Sequence, residues 1–261
     1  MKKLILSICM LSILFTSCKK DPVGNQNNSN SNNNTSTTGI LKIEFEHVFD
    51  TISFALNTKT FVTPNNDSVS FTKFKYYISN VKLLRADGTT YNENESYHLI
   101  DEETAASKTI SINNVPFGSY TGISFMIGVD STRNVSGSQT GALDPALGMF
   151  WTWNSGYIMA KLEGNSNHSG ASTKTILYHV GGFSGINNVL KTISPSFNGS
   201  TANVSATVSP EIHIKCDVME WFKNPSAINL ATLHTIHMPG ANAKLIANNY
   251  ADMFSVEHIH N

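Results

Sequence analysis

The amino-acid sequence predicts an all-β domain, a sandwich or barrel of many short strands, with one or two short helices near its C-terminus. Three observations carry this reading. Apolar and polar residues alternate with a period of two in several runs, the pattern of a strand with one buried face. Gly-, Pro- and Asn-rich turn chemistry separates those runs, as in sandwiches and barrels. A 3.6-residue period is confined to the C-terminal part, where Leu245, Ile246, Asn249, Tyr250, Met253 and Phe254 share one helical face.

Residues 1–17 read as a lipoprotein signal peptide. Lys2 and Lys3 precede an apolar stretch from Leu4 to Phe15, too short for a spanning helix, which needs roughly 20 residues. Phe15-Thr16-Ser17-Cys18 resembles a lipobox, making Cys18 the expected lipidation site. Cys18-Lys19-Lys20-Asp21 resembles the sorting signal of Bacteroidota-type surface lipoproteins. The implied place is the outer membrane, facing the periplasm or the cell surface. Residues 18–39 then form a tether. Gly24 to Gly39 contains only Asn, Gln, Ser, Thr and Gly, so nothing there can offset the entropy of ordering.

Residues 40–261 form the predicted domain, about 220 residues, enough for one β core without a second. Leu41, Ile43, Phe45 and His47 alternate with Lys42, Glu44, Glu46 and Val48 as its first strand. Ser70 to Asn80 fits either helix or strand. Asp87-Gly88 suits a reversal between Val81–Leu84 and Tyr97–Ile100, because Gly88 accepts positive φ. Asn114 to Tyr120 is a turn feeding the alternating run Ile123, Phe125, Ile127 and Val129. Asp130 to Gly148 is a long Gly-, Ser- and Asn-rich loop of the functional kind. Further strands are expected at Tyr157–Leu162, Thr175–Val180, Ala202–Val208 and Ile212–Val218, and a short helix at Asp217–Lys223, stopped by Asn224-Pro225.

Composition removes some functions. Without Lys2 and Lys3, 16 basic side chains face 19 acidic ones, a net charge of −3 with no basic run. Nucleic-acid binding therefore has no electrostatic footprint. With Cys9 cleaved and Cys18 lipidated, Cys216 stands alone and no disulfide staples the domain. Gly170 to Thr175 lacks the Gly-Lys-Thr ending of a phosphate loop, and Gly182-Phe183-Ser184-Gly185 is no nucleophile elbow. The chain reads as a non-enzyme.

Nine histidines, all in the mature part, are the informative residue type. Imidazole is the commonest nitrogen ligand for copper and zinc, and paired thiolates are absent. His47 and His179 each alternate with apolar neighbours and are expected on buried faces. His258 and His260 form a His-x-His pair on one face of an extended strand. His213 shares its strand face with Glu211, Lys215 and Asp217 and reads as a surface residue; His98 and His168 read as exposed. His234 and His237 share a face only in a helix, which Pro239 disfavours.

The densest stretch is Gly148-Met149-Phe150-Trp151-Thr152-Trp153-Asn154-Ser155-Gly156-Tyr157. Together with Phe74 to Leu83, Gly128-Val129-Asp130, Gly141 to Pro145, Leu162-Glu163-Gly164, Tyr178 to Gly182 and Asp252 to Ser255, it resembles the MbnP-like family over nearly all of Ile40 to His260. The resemblance implies a β-sandwich, immunoglobulin- or prealbumin-like, that binds copper extracytoplasmically for copper acquisition or handling. It also implies a di-haem oxidase partner related to cytochrome c peroxidases, which oxidises a Trp to kynurenine. By position, Trp151 or Trp153 is the candidate for oxidation and His47 and His179 are candidate copper ligands; His258 and His260 are further candidates on their His-x-His spacing and the general preference of such metals for imidazole. The Trp-x-His arrangement of related copper proteins is absent, since Trp153 stands where His would. Another reading is a surface binding module for a glycan or protein, with Trp151, Trp153 and Tyr157 as a stacking platform.

Overall fold

Alternation along the first strand decides how the two main sheets meet. The computed structural model describes residues 37–137, 139–152 and 155–261. The signal peptide, Cys18, the tether to residue 36 and Trp153 lie outside these residues. The first strand, Thr38–Phe49, begins two residues before the expected boundary and turns Leu41, Ile43, Phe45 and His47 inward. It pairs in parallel with Glu211–Asp217 and antiparallel with Thr109–Pro116 and Ile52–Ser53. Phe254–His260 adds to the far side of Glu211–Asp217 and closes a five-stranded sheet.

The second sheet has ten strands built on Ser68–Leu84, a 17-residue strand. The stretch that suited either helix or strand is thus wholly extended. Its Phe71, Phe74, Tyr76 and Ile78 find an inner face to fill, and tertiary burial overrides local ambiguity. Gly122–Ile127 and Gly156–Asn165 pair along one edge of this long strand, toward its two ends, with Thr175–Gly181 beyond the latter, while Tyr97–Asp101 pairs along the other edge. The two inner faces meet as a sandwich. The Phe45 ring lies edge-on to Tyr76, Phe125 and Phe254 with centroids 6.0–6.1 Å apart, contacts worth about 0.5–1.5 kcal/mol each beyond buried area.

Several elements differ from the sequence expectation, beginning with the turn expected over Asn114–Tyr120, where Asn114–Pro116 ends the strand Thr109–Pro116 and Gly118–Tyr120 is a short strand of its own. The strand from Ala202 ends at Val204, because the Ser205 N–H bonds back to the Val208 carbonyl and turns the chain. The C-terminal helix spans Ala241–Tyr250 and stops before Met253; Phe254 opens the last strand instead. The short helix is a 3-10 turn over Val218–Phe222, started by the Asp217 side chain, which accepts the Met219 N–H at 3.0 Å. It buries Trp221 against Phe74 and Tyr250.

Candidate metal-binding face

His47 points into the core as expected, 4 % exposed. Both ring nitrogens are engaged: Nδ1 lies 2.6 Å from Glu102 Oε2 and Nε2 lies 2.9 Å from the Tyr76 hydroxyl. Burial lowers its pKa, against the opposing pull of Glu102. The neutral ring therefore donates from Nδ1 to the Glu102 carboxylate and accepts the Tyr76 O–H at Nε2. Burial alone would raise the Glu102 carboxyl, but the bonds to His47 and Lys108 outweigh it and hold it low. His47 is a satisfied core residue, with no lone pair left for an ion.

His179 stands elsewhere. On Thr175–Gly181 the buried side is carried by Ile176, Tyr178 and Val180, while Leu177 and His179 are half-buried on the opposite, outer face. His179 therefore lies on the outer side of its strand and not on the buried side that the sequence suggests. Tyr178 supplies the core contact, and Leu177 is an apolar residue on the outside. His47 touches Phe74 and Tyr76 on the inner face of the same sheet, so the two histidines lie on opposite sides of it and do not form one site.

The outer face around His179 is nonetheless built. Its Nε2 lies 2.8 Å from Glu163 Oε1. Desolvation lowers its pKa, as do Lys161 and His237, while Glu163 opposes them. His237 follows the two-residue strand Thr235–Ile236, which pairs in parallel with Leu177 and Tyr178. Its ring centroid is 5.6 Å from that of His179. Gly181, on the same strand face as His179, supports the indole of Trp151. A methyl group at Gly181 would come within 2.6 Å of Trp151 Cζ3, so only glycine leaves room for the ring. Lys161 Nζ donates to the Gly148 carbonyl at 2.5 Å and ties down the segment that carries Trp151. Beside His237, a depression of about 280 Å³ is lined by Met238, Pro239 and Ala241, and Met238 is 70 % exposed.

A family model for MbnP matches residues 38–239. The chain belongs to the MbnP family. The solved MbnP from Methylosinus trichosporium is similar in fold, with a TM-score of 0.52 at 15 % identity, covering 84 % of this chain and 98 % of that one. No curated protein matches the sequence. Trp151, His179, His237 and Met238 fall within the MbnP match, whereas the last helix and the last strand lie beyond it.

Other expected residues settle differently on this MbnP scaffold. Tyr157 is fully buried and serves as a strut: its O–H donates to the Leu143 carbonyl and its N–H to Asn134 Oδ1. It offers no stacking face, which corrects its placement in an aromatic platform. Asn134 Nδ2 in turn holds the Val129 and Asp130 carbonyls, so the Asp130–Gly148 loop is pinned at its base. His98 is half-buried against Glu93 rather than exposed. His258 and His260 are exposed on the outer face of the five-stranded sheet, where they meet His213. Sequence reasoning missed His237 and His213. A parallel strand brings the first to His179, and strand pairing brings the second to His258; neither juxtaposition has a local spacing to signal it.

Proposed function

We propose that this MbnP-family protein is a membrane-anchored, extracytoplasmic copper-binding protein used in copper acquisition or handling, and not an enzyme. The observation that carries the reading is the indole of Trp151 lying over Gly181, two residues along the strand from His179, whose own ring neighbours that of His237. The donors suit the metal. Two imidazoles and the exposed Met238 thioether are the nitrogen and soft sulfur ligands that copper prefers over harder ions. Glu163 bonds one ring nitrogen of His179, the kind of carboxylate contact that orients a metal-binding imidazole. The Lys161 tether and the Gly181 gap hold the indole in place.

An indole nitrogen is a poor ligand because its lone pair belongs to the ring. Oxidation of Trp151 to kynurenine would open that ring and free an aniline nitrogen and a carbonyl. The chain carries no Cys-x-x-Cys-His haem motif, so the oxidant is assigned to a di-haem partner related to cytochrome c peroxidases. Copper, when bound, would add a redox-active soft ion to this face. Anchoring rests on the signal-like N-terminus and Cys18, and Cys18→Ala should release the protein from membranes in fractionation.

Copper(I) titration of protein produced with and without the di-haem partner tests the reading. Coproduced protein should carry one oxygen more and one carbon fewer on the peptide spanning Phe150 to Tyr157, and should bind copper more tightly. Trp151→Phe and His237→Ala should each weaken copper binding at least tenfold while circular dichroism stays unchanged. Folded Trp151→Phe with wild-type affinity would sink the proposal. A glycan platform would instead show sugar-dependent Trp fluorescence indifferent to chelators, and the burial of Tyr157 already removes one of its three aromatics.

A further inference from the structure

The outer face of the five-stranded sheet carries three imidazoles that the Trp151 region does not use. His213 comes from Glu211–Asp217, and His258 and His260 from Phe254–His260. The His213 and His258 rings are stacked with centroids 4.2 Å apart, and His260 stands edge-on to both at 4.8 and 4.7 Å. One nitrogen from each ring falls within 4.8 Å of the others. We propose that His213, His258 and His260 form a second metal site, which holds a divalent transition ion of the copper(II) and zinc(II) class.

Three details support an ion rather than a chance cluster. First, His213 is oriented as a ligand. Its Nδ1 lies 3.0 Å from Glu44 Oε2, leaving Nε2 as the lone-pair nitrogen, and that Nε2 is buried without a hydrogen-bond partner. A buried polar atom without a partner needs an explanation, and carboxylate–imidazole–metal is the common arrangement that supplies one. Second, the Nε2 atoms of His258 and His260 are 3.1 Å apart. Two nitrogens bound to one tetrahedral ion at about 2.0–2.1 Å stand roughly 3.3 Å apart, so the pair is already close to ligand spacing.

Third, the strand is built to present both rings. His213 pairs with His258 but Ile214 pairs with Val256, so Glu257 is an extra residue in a bulge. Phe254 and Val256 face the core; simple alternation would carry His258 and His260 inward with them. The bulge shifts the phase by one, so Ile259 pairs with Ile212 and both histidines face out beside His213. Glu44 and Glu211, adjacent on the same face, supply negative charge near the ion. His258 and His260 lie beyond the family match, whereas His213, Glu44 and Glu211 lie within it.

Zinc(II) and cobalt(II) titrations of the full chain test the proposal, read by calorimetry and by the visible d–d absorption of four-coordinate cobalt. The expected result is one zinc site that His213→Ala and the His258→Ala, His260→Ala pair each abolish, with unchanged circular dichroism. Glu44→Gln should weaken it about tenfold by releasing the orientation of His213. His179→Ala and His237→Ala should leave zinc binding intact, which separates this site from the copper face. Unchanged zinc stoichiometry in the folded His258→Ala, His260→Ala variant would overturn the proposal, as would loss of the zinc site in His179→Ala.

Discussion

His47 and His213 sit on adjacent, parallel strands and face opposite sides of one sheet. Inside, His47 has spent both ring nitrogens, on Glu102 and Tyr76. Outside, His213 has spent one, on Glu44, and keeps the other. The same side chain is thus a structural crosslink in one place and a candidate ligand one strand away. The difference lies in how many partners the surroundings provide, and burial alone does not decide it: the more deeply buried ring is the less available one.

The largest effect expected from breaking this contrast is at the inner ring. His47→Ala removes the shared partner of two other groups and leaves a cavity beside Phe74, so it should cost about 3 kcal/mol of unfolding free energy in urea titration. A loss under about 1 kcal/mol would mean that the network is dispensable. Tyr76→Phe removes only the O–H that His47 accepts, and should cost about 1–1.5 kcal/mol.

Acid should separate the two rings next. Burial holds His47 below its ordinary value, so the unfolded chain takes up that proton first as pH falls. Stability from this group is full above the unfolded pKa of about 6.5 and declines as pH drops through it toward the folded value. His179, also lowered chiefly by desolvation, adds a slope of the same sign. Thermal melts from pH 7.5 down to pH 5 should fall more gently in His47→Gln than in the parent; equal slopes would remove His47 from the acid response. The smallest effect is at the outer ring. His213→Ala, measured without metal, should change stability by less than about 0.5 kcal/mol, as for a surface substitution.

Much of the sandwich is legible in the sequence. The alternation of Leu41, Ile43, Phe45 and His47 gives the first strand its inner face, and its Cys216-containing neighbour reads the same way. Periodicity also places the C-terminal helix, though not its end, because Met253 and Phe254 continue the apolar pattern into a strand. The site was less legible. Trp151 stands out by composition, but Trp-Thr-Trp does not reveal which strand will lie beneath the ring. The apolar Leu177 in phase with His179 suggests a buried face for both, but the fully buried residues of that strand are Ile176, Tyr178 and Val180. Simple alternation from Val256 would turn His258 inward; only the pairing of two strands distant in sequence reveals the extra residue at Glu257.

That extra residue has a second consequence. Phe254–His260 is an outer strand of its sheet among the described residues, and a straight strand there would offer a regular array of backbone donors and acceptors to another chain. A bulge with an exposed acid at its apex interrupts the array and twists the strand, so a second copy finds no continuous ladder to extend. Straightening the strand by removing Glu257 should therefore lower solubility, because it exposes a free edge suited to intermolecular β-pairing.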